Sequence, residues 1–99
     1  MSTPSSATDD PFAAIGDAER RVLGRFVRDG RIVQIPAKLS VRRVLLDWLV
    51  LDFEPGRAYS EQMVNLIIGQ RHPDTAALRR YLVDEGLMAR ARNSYRRLP

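Results

Sequence analysis

Side chains able to transfer protons, attack as nucleophiles or ligate metals are sparse in this chain: one histidine, no cysteine, and 12 carboxylates spread over 99 residues. The missing cysteine removes thiol nucleophiles, thiolate metal sites and disulfides, and nothing in the composition points to an oxidising compartment, so a cytoplasmic location is expected. His72 and Asp74 flank Pro73. Two groups on either side of a proline make neither a ligand set nor a positioned base, and the pair reads instead as a turn residue beside a helix N-cap. Asp47, Asp52 and Glu54 lie close in sequence near a helix end, where they read as a solvated rim paired with Arg42, Arg43 or Arg57. The six glycines stand apart, so there is no glycine-rich phosphate loop. The sequence therefore assigns no catalytic residue, no cofactor site and no metal ligand, and a non-enzymatic protein is expected.

What the chain does hold is arginine, unevenly placed. The net charge is +4, and residues 1–70 balance nine basic against nine acidic side chains, whereas residues 71–99 hold seven basic against Asp74, Asp84 and Glu85. A planar guanidinium can take a guanine edge or a phosphate in bidentate fashion. If residues 74–86 form the second helix of a helix-turn-helix, its outward face carries Thr75, Ala76, Arg79 and Arg80, with Asp84 further along, and the following hairpin carries Arg90, Arg92, Arg96 and Arg97. Thr75, Arg79, Arg80, Arg90, Arg92, Arg96 and Arg97 are thus the candidate nucleic-acid contacts, with double-stranded DNA as partner. Two features weigh the other way: arginines also crowd Arg20 to Arg31, and Asp84 with Glu85 would repel phosphate. The alternative is a protein-interaction module docking on a transcriptional regulator or polymerase component. Trp48 and Tyr81 could stack on bases, but their helical spacing assigns both to the core, while Tyr59 and Tyr95 can pack their rings inward and turn a hydroxyl to a polar neighbour.

The elements that must position these residues follow from periodicity. A hydrophobic fraction of 44% with 28% charged residues is globular composition. Residues 1–16 read as a flexible tail without a secretory signal, and 17–99 as one domain. Its first part, 17–39, holds a helix from Asp17 to Asp29 stopped by Gly30, and a short extended run, Arg31 to Ile35, closed by Pro36. Its second part, 40–99, begins with a wide apolar helix, Ser40 to Phe53, with Ser40 as N-cap; the longest apolar stretch, Val44 to Phe53, is broken by Asp47 and Asp52 and too short to span a membrane. Ala58-Tyr59 adds a short strand, and Ser60 caps a helix running to about Arg71 with Met63, Val64, Ile67 and Ile68 inward. Asp74 caps the last helix, which Gly86 ends. Leu87 to Arg92 alternates, with Leu87, Ala89 and Ala91 assigned to the inner face; Asn93-Ser94 is the turn and Tyr95 to Leu98 the return strand. The class is mainly α, α+β: three core helices plus a C-terminal β-hairpin, winged-helix-like, with an extra N-terminal helix. That N-terminal helix and the 40–53 helix either pack on each other or leave one face for a homodimer.

Tyr59-Ser60-Glu61, Val64-Asn65, His72-Pro73-Asp74, the run Leu78 to Asp84, Gly86-Leu87, Arg90 and Tyr95-Arg96 resemble a small bacterial family of unknown function (DUF2087) that occurs alone and behind ArsR-type helix-turn-helix repressors. The resemblance covers about Val22 to Arg97. It implies a transcription-associated role and carries no assigned site residues; the short Arg-Asn-Ser hairpin tip departs from a long groove-inserting wing.

Overall fold

The computed structural model describes residues 16–99; the expected tail lies, but for Gly16, outside the described residues. Helix α1 spans Asp17–Phe26 and passes directly into strand β1, Val27–Arg28, which pairs antiparallel with β2, Arg31–Ile32. The helix therefore stops three residues short of the expected Asp29. Asp29 and Gly30 form the two-residue loop at φ 52° and 75°, the conformation a type I′ turn requires and an Asp-Gly pair accommodates best. The extended run beyond it is correspondingly short.

Helix α2 covers Leu39–Leu49 and tightens into a 3-10 turn at Val50–Asp52. Its N-cap is Lys38 rather than Ser40, with no side-chain hydrogen bond. It is the centre of the core: Leu45, Leu46 and Leu49 are fully buried, with Val50 and Phe53 beside them. Helix α1 packs against α2, and its Leu23 joins the same core.

Strand β3, Ala58–Ser60, leads into α3, Glu61–Gly69, where the Ser60 hydroxyl accepts from the Met63 amide at 3.1 Å. Helix α4, Thr75–Asp84, starts on Asp74, whose carboxylate accepts from the Ala77 amide at 3.2 Å. Both caps stand where the sequence places them. Val64, Ile68, Leu78 and Leu82 are the buried contributions of this helix pair, and Ile67 packs at the edge of the core. Met63 does not turn inward as expected; it is 41% exposed.

Strands β4, Met88–Ala91, and β5, Ser94–Arg97, close the fold as a hairpin, and β3 joins them in the order β3-β5-β4, all antiparallel. The expected facing of β4 is reversed: Met88 is 2% exposed while Ala89 and Ala91 face outward. The reason lies at the helix stop. Gly86, at φ 75°, donates to the Val83 carbonyl and Leu87 donates to the Leu82 carbonyl at 2.9 Å, the hydrogen-bond pair of a Schellman motif. Leu87 is consumed by that motif, so the strand's inward phase starts at Met88. Register Ala91↔Ser94 makes Arg92-Asn93 the loop, one residue earlier than expected. The described chain is an α+β fold with four helices and this C-terminal antiparallel hairpin.

Candidate nucleic-acid interface

The cross-strand register sorts the hairpin arginines by face, because paired residues point to the same side of a sheet. Arg90 pairs with Tyr95 and Tyr95 with Tyr59; Arg97 pairs with Met88. These occupy the inner face. Arg96 pairs with Ala89 and Ala58 on the outer face, and Arg92 sits in the loop at φ 57°. The four arginines expected to act together are thus distributed over two faces and a tip.

Two of the expected contacts are held by the fold itself. Arg79 donates from Nη1 to the Asn65 side-chain oxygen, and its Nε lies 3.9 Å from Glu61 Oε1, which also accepts from the Tyr95 hydroxyl at 3.1 Å. That network ties α4, α3 and β5 together. Arg97 donates from Nη1 to the Phe53 carbonyl at 3.0 Å, fastening the end of β5 to the chain after α2. Thr75 is half-buried, and a side chain at Gly69 would meet its methyl at 3.7 Å. Arg79 and Arg97 are thus partly engaged by their own chain, because a basic side chain beside an acceptor is drawn to it.

Arg80, Arg90, Arg92 and Arg96 are exposed. Arg80 lies over the Tyr81 ring at 5.4 Å and Arg90 over the Tyr95 ring at 5.8 Å, and Arg90 Nε donates to the Arg92 carbonyl at 3.3 Å. A groove of about 380 Å³ runs between α4 and the hairpin, lined by Ala76, Arg79, Arg80, Val83, Asp84, Arg90 and Tyr95. Among the described residues that line it, Asp84 is the one carboxylate. Glu85 is neutralised elsewhere, with Arg43 Nη1 3.6 Å from its Oε1 and donating to its backbone carbonyl at 3.2 Å. The hydrogen bond to Asp47 at 3.0 Å, with the Asp47 and Glu85 charges, raises the Arg43 pKa despite some desolvation.

The tyrosines behave as their positions suggest. Tyr59 meets Phe53 edge-to-face at 5.2 Å and its hydroxyl accepts from the Glu54 amide at 2.8 Å. His72 Nδ1 accepts from the Asp74 amide at 3.0 Å, a turn contact beside the cap. Among the described residues there is no group of three or more His, Cys, Asp or Glu placed to hold a metal ion, and no helix is long and apolar enough to cross a membrane.

Periodicity gave no sign of Arg71. Its Nε and Nη2 grip both oxygens of Asp52 at 2.8 and 3.0 Å, its Nη1 donates to the Gly30 carbonyl at 2.8 Å, and its guanidinium lies 5.0 Å from the Trp48 ring centre. The Asp52 hydrogen bonds raise the Arg71 pKa against partial desolvation. Asp47 and Glu54 do pair with Arg43 and Arg57 as expected, but Asp52 reaches across to Arg71 instead.

The sequence pattern of the family described as "Uncharacterized protein conserved in bacteria (DUF2087)" matches residues 31–97. The chain belongs to this family. Its DUF2087 span begins just after the Asp29-Gly30 turn and contains α2 to β5, the groove and the Arg71–Asp52 pair, while α1 and β1 precede it. No curated protein and no solved structure matches the chain.

Proposed function

We propose that residues 40–99 form a winged helix-turn-helix module that contacts double-stranded DNA in a cytoplasmic, transcription-associated and non-catalytic role. In this reading α3 and α4 are the helix pair and the β4-β5 hairpin is the wing, and the strand order β3-β5-β4 suits that assignment. The single observation that carries it is the groove in which exposed Arg80 of α4 and Arg90 of β4 share one opening, with Arg92 beyond it at the hairpin tip. Arg79 acts as a positioning residue, holding α4 on α3, and Arg97 anchors the hairpin.

The test is anisotropy of a labelled random-sequence duplex at low and at physiological salt. Affinity is expected to fall steeply with salt, and Arg80→Ala/Arg90→Ala to flatten the log–log slope by about 2 units, since each lost phosphate contact removes roughly 0.9. Arg96→Ala, on the outer face, is expected to change the slope less. No binding at low salt would remove the DNA reading. A protein partner would then take its place, a reading favoured by Met63 and Leu66, which leave 41% and 66% of their surface exposed three residues apart on α3.

A further inference from the structure

We infer that the pocket between α1, the Asp29-Gly30 turn and α2 is a binding site for a planar aromatic molecule of one or two rings, neutral or anionic. This cavity of about 430 Å³ is lined by Arg20, Leu23, Gly24, Val27, Gly30 and Trp48, which puts it within the range of small-molecule sites. Its walls are apolar side chains, bare backbone at two glycines, and the half-buried indole of Trp48. A flat ring fits such a slot because it can approach glycine backbone closely and stack on or against an indole.

Gly24 is the informative residue. Glycine within a helix weakens it, and in the last turn of α1 neither backbone nor packing asks for it: its φ is not in the left-handed region, and a Cβ would meet nothing within 4 Å. What the missing side chain leaves is the cavity. Gly30, by contrast, is accounted for by its φ of 75° and by Arg71 Nη1, 2.9 Å from where a Cβ would stand. Charge narrows the ligand further. Among the described residues the lining holds an arginine and no carboxylate, which disfavours a cationic ring. Arg71 also fixes two of the walls, since it donates to the Gly30 carbonyl and stacks on Trp48, and a wall ordered before the ligand arrives loses less entropy on binding. The site is independent of the DNA-contact reading.

The experiment is a ¹⁵N–¹H titration of the full chain with 2-naphthoate, following the Gly24 and Gly30 amides and the indole N–H of Trp48, the sole tryptophan. Saturable shifts at these three signals are expected. Gly24→Leu fills the cavity while favouring the helix, and is expected to weaken binding by roughly tenfold or more; Gly24→Ala, adding one methyl, gives a milder loss should the leucine disturb the fold. Cyclohexanecarboxylate, of like charge but not flat, is expected to bind far more weakly. Absence of saturable shifts, shifts confined to other signals, undiminished binding by a folded Gly24 variant, or equal binding of the cyclohexane acid would each overturn the assignment.

Discussion

The N-terminal hairpin turns on Asp29-Gly30 and the C-terminal hairpin on Arg92-Asn93, both two-residue loops with the first central residue at positive φ. Their uses diverge. In the first, the chain is pinned from outside the hairpin: Ile32 donates its amide to the Arg71 carbonyl at 2.8 Å, the Arg71 guanidinium takes the Gly30 carbonyl at 2.8 Å, and Ile32 is buried. In the second, β3 pairs along β5 as far as Ser94, Met88 and Tyr95 lie in the core and Arg97 takes the Phe53 carbonyl, while Arg90, Arg92 and Asn93 stay exposed around the loop. A two-residue loop thus serves as a packing clasp at one end of the molecule and as an arginine carrier at the other. The difference is made by what stands opposite the loop, since a lone two-stranded ribbon has too little buried surface to order itself.

Six substitutions at five positions probe that contrast, in falling order of expected effect. Met88→Ala removes the core anchor of the C-terminal hairpin and is expected to cost about 3 kcal/mol in urea unfolding, with Ile32→Ala costing somewhat less because the smaller hairpin can settle into the space. A larger loss for Ile32→Ala would reverse the ranking of the two anchors. Arg71→Ala leaves Asp52 and the Gly30 carbonyl without their partner and is expected to cost about 2 kcal/mol, with Arg71→Lys recovering less than half because it lacks the bidentate fork. Amide exchange should quicken at Gly30 and Ile32 and stay unchanged at Tyr95; equal acceleration in both hairpins would show that Arg71 is not specific to the first. Gly30→Ala, with φ 75° and a Cβ placed 2.9 Å from Arg71 Nη1, is expected to lower stability by about 1 kcal/mol, read as a shift in the thermal midpoint. Arg92→Gly, which relieves a left-handed non-glycine residue, is expected to raise stability by about 0.5 kcal/mol while weakening duplex binding by about one phosphate contact. A stability loss there would mean that the Arg92 side chain helps hold the loop.

Much of the architecture is legible in local sequence because its signals act over three or four residues. Ser60, Asp74 and Gly86 perform the capping and stopping roles their types announce, and the apolar spacing of Leu45, Leu49, Leu78 and Leu82 places them in the core. The first hairpin shows two local signals in competition. Helical spacing extends through Val27, yet Asp29-Gly30 is a strong turn pair, and the turn wins because Ile32 has a carbonyl to bond at Arg71. The phase of β4 also escapes a reading by alternation alone. Alternation fixes which residues share a face but not which face is inside, and the Schellman hydrogen bond of Leu87 makes that choice. In the candidate interface, the residue types were legible and their availability was not: Arg79 and Arg80 are adjacent and identical, and only α3 decides that the first meets Asn65 while the second stays exposed.

By itself, then, the chain's sequence determined the starts of α3 and α4 and the stop of α4, the α+β class, the family to which it belongs and the basic bias of its C-terminal third, all properties of residue type and near-neighbour spacing. Tertiary structure decided which arginines are spent on the fold, which face of the hairpin is buried, and that Arg71 joins Asp52, Gly30 and Trp48. Those contacts link residues 19 to 41 positions apart in sequence, and a guanidinium satisfies whichever acceptors the fold brings within reach, which no local pattern encodes.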